Sequence, residues 1–570
     1  MKNEIILNRL ARIKCFITGL VFFNIFFVAV IFARDQQSKE LKDYFVNVPF
    51  SMPPFEEPVF NDLQVNIIDH GAVADGATLN TDAFARAIDA CSKGGGGKVI
   101  VPPGTWLTGP IRLKSNINLY LERGALIQFS SRIEDFPLIA GFDGKSKNYQ
   151  ITPPIYAYKE KNIAITGEGI IDGAGEVWRY VKKEKQTDRQ WKELIESGGV
   201  VSSDGKQWWP SKEAMDGEKY LEEIEKSGKV LTIEDYAKVK EYIRPDLVRF
   251  VQCDGILLDG PTFRNSPRFH IYPFQSENII IRNIEIFTDW YAQNGDGLDL
   301  GSCRNVVVYN ITVDAGDDAI CIKPGSISKN QAKGPSCQNI IIADCIVYHG
   351  HGGFVIGSES RGGAENILVR NCIFIGTDVG LRFKSARGKG GLIKNIYIED
   401  VQMRNIVNEA ILFDMYYGEG SPEITAVTDA KSHKPVDDFT PRFQDFIIKN
   451  IVCNGAKRAI LINGLPEMPV KSINIENIRI AAEKGVLCVD ADEISIKNSQ
   501  ILNKVGPVFY LNNSSNIKLT ELKYPTNAEI FLTVRGDKSE NIQLEKIDLS
   551  HAAKDIDFGS GVNKNIVIVK

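Results

Sequence analysis

Two consecutive acids, Asp317 and Asp318, follow Gly316 at the end of an alternating apolar run, and Asp296 lies upstream in Asn-Gly-Asp-Gly. Neighbouring side chains of a strand point to opposite faces, so both acids can face one cleft only at a turn, which Gly316 suggests. Three carboxylates held close together oppose one another's ionisation, which raises at least one pKa and supplies an acid beside a base. Glycoside hydrolysis uses such a pair: one carboxylic acid protonates the leaving oxygen, and another carboxylate activates water or attacks directly.

Basic residues follow these acids along the chain. Arg382 and Lys384 flank Phe383 at i and i+2, on one face of a strand, and form a cationic patch suited to a substrate carboxylate. The implied substrate is an acidic sugar polymer. Taken singly, a Gly-Asp-Asp turn is more typical of a solvated corner or a calcium site, and a lone histidine such as His351 is usually structural. The joint placement of these residues favours catalysis.

The elements that must position these residues repeat along the chain. From Asn278 onward the sequence restarts one phrase, as in ENIIIRNIEIF and RNVVVYNITVD, every 27 to 34 residues as far as Asn395 and every 24 to 25 near the C-terminus. Strands at that period, without helix-length segments between them, predict the coils of a parallel β-helix. A propeller would need about four antiparallel strands in roughly 40 to 50 residues. We therefore predict an all-β solenoid.

Stacked coils place residues of similar offset side by side, about 5 Å apart per coil. Four consecutive coils have ionisable residues 12 to 18 positions after their opening asparagine, and we expect these residues to form one column on one face. They are Asp296, then Asp317 and Asp318, then His351, then Arg382 and Lys384. One coil step between Asp296 and Asp317 is compatible with the carboxylate separation of inverting enzymes, ~6.5 to 9.5 Å, and of retaining enzymes, ~5 to 5.5 Å.

Cysteines occupy positions that the repeat predicts to be internal. Cys345 and Cys372 lie six residues after the asparagine of their phrase, where neighbouring coils have Ile284 and Ile311. Free cysteine packs as a small apolar residue. We expect a core ladder here, and neither disulfides nor metal ligands.

Several segments depart from the repeat. Residues 1–33 join basic residues to a long apolar run, which is the pattern of a secretory signal peptide, with an uncleaved membrane anchor as the alternative. Residues 34–61 are predicted to be a linker, and 62–570 a single catalytic domain. In that domain NTDAFARAIDACSKGGGG predicts a helix that caps the first coil. Residues of about 176–246, with four of the six tryptophans, predict a helical insertion on the binding flank.

These motifs resemble glycoside hydrolase family 28, the polygalacturonase family of right-handed parallel β-helices. The resemblance runs from about Asn66 to at least Tyr417 and rests on NGDG at 294, GDD at 316, GHGG at 350 and RFK at 382. It implies that Asp317 is the general acid, and that Asp296 and Asp318 activate water for an inverting displacement. It also implies that His351 tunes or orients the acid. The implied substrate-binding residues are Asn294, Arg382, Lys384 and either Tyr416 or Tyr417.

Details of the motifs refine the expected activity. Gly295 and Phe383 stand where the family commonly has Thr and Ile, and leave the charged groups intact. GHGGFVIGSESRGG followed by RFKSARGKGG is most similar to the bacterial exo-acting members, and Arg361, Arg387 and Lys389 are expected to make the cleft cationic. We expect an exo-polygalacturonase or galacturonidase. A rhamnogalacturonan-type hydrolase of the same family, a calcium-dependent pectate lyase and a non-catalytic glycan-binding β-helix are the alternatives.

Charge and mechanism define the expected partners. The net charge of -5, from 67 basic and 72 acidic residues, gives no indication of a nucleic-acid partner. The implied mechanism requires no cofactor and no metal. We expect a monomer, exported to the periplasm or the extracellular space, that acts on a pectic polysaccharide or oligogalacturonide.

Overall fold

The computed structural model describes residues 39–142, 149–325, 334–420 and 432–570. It divides the chain into two compact units, Met1–Val48 and Pro49–Lys570. The described part of the first unit contains a short 3-10 helix, Leu41–Phe45. The predicted signal peptide lies outside the described residues. Within the described ranges, we find no helix of sufficient length and apolar character to span a membrane.

Strands of the second unit form three rows, in each of which successive coils pair in parallel. The long strands contribute to two or three rows and are given with the row in which they begin. The first row consists of Gln64–Asn66, Gly97–Val101, Ile117–Leu121, Lys161–Gly167, Asp254–Asp259, Glu277–Arg282, Arg304–Tyr309, Cys337–Ala343, Ala364–Ile375, Leu392–Arg404, Arg442–Asn454, Val470–Glu476, Ala491–Asn512, Ser515–Lys523, Glu540–Glu545 and Val567–Val569. The second row consists of Gly104–Thr108, Ala125–Phe129, Ile170–Asp172, Thr262–Arg264, Glu285–Phe287, Thr312–Asp314, Ile346–Val347 and Arg479–Val489. The third row consists of Ile111–Arg112, Ile155–Tyr158, Val248–Val251, Ile271–Phe274, Leu298–Gly301, Asp318–Lys323, Gly352–Ile356, Leu381–Lys384, Glu409–Asp414, Arg458–Asn463, Ala528–Arg535 and Ala552–Phe558.

Helices and small antiparallel sheets lie outside these rows. The α-helices are α1 Thr81–Lys93, α2 Asp188–Glu196, α3 Lys212–Lys226, α4 Ile233–Lys238 and α5 Lys240–Ile243. The further 3-10 helices are Ile67–His70, Ile133–Asp135, Gly175–Val177, Lys183–Lys185, Leu549–His551 and Lys564–Ile566. The antiparallel strands are Leu138–Ile139 with Gln150–Ile151, and Val181–Lys182 and Val200–Val201 on either side of Gln207–Trp209.

The asparagine that opens each phrase makes the corner of the coil. Asn278, Asn305, Asn339, Asn366 and Asn395 all adopt the left-handed conformation, with φ between 54° and 59°. Asparagine tolerates this conformation better than other residues with a Cβ. Each side-chain amide donates to the amide oxygen of the preceding coil at 3.1 to 3.2 Å, from Asn305 to Asn395. The repeat therefore reflects both a backbone requirement and a hydrogen-bonded ladder, and the predicted parallel β-helix is confirmed.

The predicted interior positions are buried. Cys345 and Cys372 are each 1% exposed, and Cys372 pairs in register with Val401. The nine cysteines within the described residues are free and buried. The core ladder is therefore as expected.

Helix α1 forms where the sequence predicted it, and its apolar face of Phe84, Ala87, Ile88 and Cys91 is buried. Its role as a cap of the first coil stays a prediction. The insertion contains α2 to α5, three of which begin at the capping residues Thr187, Ser211 and Thr232. It also contains the three-stranded antiparallel sheet, which the sequence did not predict.

Candidate active site

The third row of strands carries the predicted site residues on its outer face. The strands that begin at Leu298, Asp318, Gly352 and Leu381 pair in that order. Phe383 points into the core and is fully buried, so Arg382 and Lys384 on either side of it face outward. The exchange of Ile for Phe at this position therefore alters the core and leaves the cationic face in place.

Asp296, Asp317 and Asp318 form a compact cluster in which a carboxylate oxygen of each lies within 4.8 Å of the others. Asp317 is the most accessible: 19% of its side chain is exposed, against 3% for Asp296 and 2% for Asp318. The turn before Asp317 requires Gly316, where an added Cβ would come within 2.4 Å of the Ala292 carbonyl oxygen. A ligand in the cleft therefore meets Asp317 first, while the other two acids lie in the floor.

Asp296 belongs to a buried charge cluster with Lys323 and Asp299. The Lys323 ammonium lies 3.0 Å from Asp296 Oδ2 and 3.4 Å from Asp299 Oδ1. Burial raises the pKa of Asp296 to about 8, although the attraction of Lys323 opposes this shift. Burial also raises the pKa of Asp299 well above its ordinary value. One ammonium between two buried carboxylates leaves a proton in this cluster at neutral pH.

Asp317 is bound by His351. His351 Nδ1 lies 2.9 Å from Asp317 Oδ1, and the His351 backbone N–H donates to the Asp317 carbonyl oxygen at 2.8 Å. Burial opposes the ionisation of Asp317, but the hydrogen bond of His351, together with the positive charges of Lys384 and Lys323, outweighs it and holds the pKa of Asp317 well below its ordinary value. In the substrate-free site Asp317 is therefore ionised, and the proton is held in the cluster of Asp296, Asp299 and Lys323. The acid role that the resemblance implies for Asp317 requires a change on substrate binding.

Asp318 is paired with both cations of the strand Leu381–Lys384. Lys384 Nζ donates to Asp318 Oδ2 at 2.6 Å, and Arg382 Nη1 donates to Asp318 Oδ1 at 3.4 Å. Burial would raise the pKa of Asp318, but Lys384 and Arg382 together keep it below its ordinary value. Asp318 is thus an ionised carboxylate in the floor, suited to act as a base. Arg382 Nε is buried and, among the described residues, has no hydrogen-bond acceptor.

Tyr417 is the aromatic residue in the cationic part of the cleft. Its ring centroid lies 4.9 Å from Lys384 Nζ, 5.1 Å from Lys389 Nζ and 5.8 Å from the Arg382 guanidinium carbon. Cations at these distances are attracted by the ring face. The structure therefore favours Tyr417 over Tyr416 as the tyrosine next to a ligand.

Tyr416 is buried and lies 5.2 Å from the Arg387 guanidinium carbon. Arg387 is itself paired with Glu467 at 2.6 Å, and Arg361 lies 4.7 Å from the ring of Phe439. Of the three additional cations that the sequence placed in the cleft, Lys389 lies beside Tyr417, whereas Arg387 lies beside Tyr416.

Asn294 is hydrogen-bonded to an arginine of the insertion. Arg244 Nη2 donates to Asn294 Oδ1 at 2.7 Å, and Arg244 Nη1 donates to the Gln293 carbonyl oxygen at 2.9 Å. The Arg244 guanidinium carbon lies 5.7 Å from the ring of Tyr180, which stacks on Trp209 with 4.2 Å between centroids. Burial lowers the pKa of Arg244 to about 10. These residues of the insertion lie next to Asn294, and sequence reasoning did not identify them.

Asp299 was also missed, although the sequence contains a signal for it. It alternates with Leu298 and Leu300, both fully buried, so it must share the outward face with Lys323 in the next coil. Arg244 gave no such signal, because the insertion lacks the period of the coils.

A parallel β-helix that brings clustered carboxylates together beside a set of cations defines the class of protein: a glycoside-cleaving enzyme. The comparisons agree with this class. Residues 192–499, more than half of the chain, match glycosyl hydrolases family 28. The chain therefore belongs to glycoside hydrolase family 28.

Individual relatives share much of the chain. It is 32% identical to the exo-poly-alpha-D-galacturonosidase of Dickeya chrysanthemi, over 70% of this chain and 64% of that protein, slightly less than two thirds of the relative's length. It is 27% identical to a probable polygalacturonase of Vitis vinifera, over 75% of this chain and 78% of that protein. The crystal structure of a hyperthermoactive exopolygalacturonase from Thermotoga maritima is similar, with a TM-score of 0.62 and 30% identity, over 78% of this chain and 93% of that one.

Proposed function

We propose that this chain is an exported exo-polygalacturonase that hydrolyses the α-1,4 linkages of galacturonic acid in pectin with inversion. The observation that carries the proposal is the position of Arg382 and Lys384 beside the three clustered acids. A uronate carboxylate can bind the remaining donors of these cations while its glycosidic oxygen lies against the accessible Asp317. The activities for which the D. chrysanthemi and T. maritima relatives are named support the substrate and the exo mode.

Asp317 remains the candidate acid because it is the most accessible of the three to a leaving oxygen. A substrate carboxylate that neutralises Lys384 and Arg382 removes part of the positive field that lowers the pKa of Asp317. Asp318, already ionised, then accepts a proton from the attacking water. Asp296 Oδ1 is buried and has no hydrogen-bond partner among the described residues, so it is available to hold the same water.

The stereochemical course needs its own experiment. The nearest oxygens of the three acids lie within 4.8 Å, closer to the ~5 to 5.5 Å of retaining enzymes than to the ~6.5 to 9.5 Å of inverting ones. Inversion is proposed from the family resemblance, together with a third carboxylate available to hold water. Proton NMR of the first product is expected to show the β anomer. An α anomer formed first would instead require a covalent intermediate on one of the floor carboxylates.

We base the proposal of exo action on the residues of the insertion next to Asn294, which we infer to close one end of the binding site. Tyr180 stacks on Trp209, and the Arg244 hydrogen bonds attach this part of the insertion to Gln293 and Asn294. A chain end can rest against a closed end, whereas the interior of a polymer needs a groove that is open at both ends.

A calcium-dependent lyase is the rival reaction, because three carboxylates this close could bind a divalent cation. The local charges disfavour it: the ammonium groups of Lys323 and Lys384 already occupy oxygens of Asp296 and Asp318. The test is digestion of polygalacturonate with and without chelator, following product length and ultraviolet absorbance together. Saturated monogalacturonate from the outset, unaffected by chelator, is expected.

Other products would change the proposal. Mixed saturated oligomers would replace exo by endo action, and unsaturated, chelator-sensitive products would establish a lyase. If no product forms, rhamnogalacturonan is the next substrate to test, and inactivity there too would leave a glycan-binding protein.

Export is proposed from the signal pattern of residues 1–33. Mass spectrometry of the protein purified from its native cells is expected to find the N-terminus after residue 33, in the periplasm or the medium. An intact N-terminus in the membrane fraction would instead establish an anchor.

A further inference from the structure

One lysine of the insertion reaches the catalytic acids. Lys185, at the end of the 3-10 helix Lys183–Lys185, donates through Nζ to the carbonyl oxygens of Trp290 at 3.2 Å and Gly316 at 3.4 Å. The same Nζ lies 3.5 Å from His351 Nε2. Burial lowers the pKa of Lys185, while the nearby Asp317 charge opposes that shift. Lys185 lies outside all four of the motifs that carry the resemblance.

These contacts favour one of the two neutral tautomers of His351. An ammonium has three donors and no acceptor, and the two carbonyl oxygens only accept, so Nε2 of His351 acts as the third acceptor. The ring proton then lies on Nδ1, which faces Asp317 Oδ1 at 2.9 Å. The hydrogen bond from His351 to Asp317 therefore depends on what occupies the opposite side of the ring.

Other charged groups also face His351. Asp378 Oδ2 lies 3.8 Å from Nε2 and favours a proton there, in competition with the closer Lys185. Asp317 faces Nδ1, and Arg382 Nη1 donates to the His351 backbone carbonyl oxygen at 3.2 Å. Removal of Lys185 leaves Asp378 as the charge nearest to Nε2.

Lys185 also joins two segments that carry the acids. Gly316 immediately precedes Asp317, and Trp290 belongs to the loop that leads to Asp296. One ammonium between the carbonyl oxygens of Gly316 and Trp290 limits the movement of these segments relative to each other.

We propose that Lys185 is a positioning residue of this active site, which directs the Nδ1–H of His351 towards Asp317 and fixes the segments that bear Asp296 and Asp317. The proposal rests on the hydrolytic function proposed above. Because the three donors of Lys185 are satisfied within the protein, it acts through His351 and the two loops, whereas Arg382 binds the substrate directly.

The test compares Lys185→Met with Lys185→Arg, which retains the cation, and with Lys183→Met as the matched control. The Lys183 ammonium lies 5.9 Å from the Trp191 ring centroid, in the same short helix. Lys185→Met is expected to lower kcat on oligogalacturonides by about 10- to 100-fold, the usual effect of a displaced catalytic group, with less than about a threefold change in KM. Lys185→Arg is expected to recover part of kcat, and Lys183→Met to match the wild type. Thermal unfolding of each variant checks that the fold is retained.

A second measurement needs no substrate. In nitrogen-15 NMR of histidine-labelled protein, with His351 identified by its loss in His351→Gln, the wild type is expected to show a ring N–H at Nδ1 alone, and Lys185→Met to show an N–H at Nε2 as well. An unchanged ring pattern would overturn the proposal. A raised KM with unchanged kcat would also overturn it and make Lys185 a substrate-binding cation. A wild type without hydrolytic activity would refute the proposed function, while the ring pattern would still test Lys185.

Discussion

Replacement of Asp296 by asparagine is expected to flatten the dependence of folding stability on pH. Burial raises the pKa of Asp296 to about 8, whereas an aspartate in an unfolded chain titrates near ~3.9. Between these values the folded protein binds one proton more than the unfolded chain. The stabilisation from this group is fully present below about pH 4 and is lost as the pH rises to about 8.

The size of the effect follows from linkage. A difference of one bound proton changes the free energy of unfolding by about 1.4 kcal/mol per pH unit. Between about pH 5.5 and about pH 7.5, the wild type should therefore lose about 2.7 kcal/mol more stability than the Asp296→Asn variant. The substitution keeps the size of the side chain, and Asp299 remains 3.4 Å from Lys323 as its partner.

Urea unfolding at a series of pH values, followed by circular dichroism, measures the difference between the two proteins. Asp314→Asn is the matched control, because it removes a carboxylate that pairs with the exposed His349 at 2.9 Å, outside the buried cluster. This control is expected to follow the wild type.

Equal pH dependence of the wild type and Asp296→Asn would refute the reasoning. It would show that Asp296 is ionised throughout this range, so that the proton assigned to the cluster with Lys323 lies elsewhere.

Three further predictions concern the cleft. Asp317→Asn is expected to lower kcat by about 10²- to 10⁴-fold without changing the circular dichroism spectrum, and near-normal turnover would exclude Asp317 as the acid. Arg382→Ala is expected to raise KM for oligogalacturonides by about 10- to 100-fold, the equivalent of one charge-assisted hydrogen bond, with a smaller effect on kcat, and an unchanged KM would contradict its role in binding. Tyr417→Ala is expected to weaken oligogalacturonide binding measured by calorimetry, whereas Tyr416→Ala should mainly lower the midpoint of thermal unfolding. The reverse pattern would show that Tyr416, and not Tyr417, lies next to the ligand.

The fold was predictable because its main constraint recurs in every coil. A left-handed corner accepts asparagine more readily than most residues, and the strand that follows must alternate between core and surface, so Asn278 and its counterparts reveal the period directly. The alternation of side chains within a strand also predicted that Arg382 and Lys384 share a face. Stacking of coils then explains why acids and cations distant in sequence meet in one cleft.

The remaining site residues depend on tertiary packing that has no period in the sequence. Arg244 and Lys185 come from the insertion, whose helices are placed by contacts with the coils. The order of the pKa values of the three acids could not be predicted from the sequence either, because it depends on which ammonium lies within 3 Å of which carboxylate. Clustering alone predicts that one acid holds a proton, and the contact with His351 determines that this acid is not Asp317 in the substrate-free site.

The most direct test of the central claim is the reaction of trigalacturonate with the wild type and with Asp317→Asn, followed by proton NMR. For the wild type we predict saturated galacturonate and digalacturonate in equal amounts at first, and for the variant almost no cleavage over the same time. Unsaturated products, or comparable cleavage by the variant, would contradict hydrolysis by the Asp296, Asp317 and Asp318 cluster.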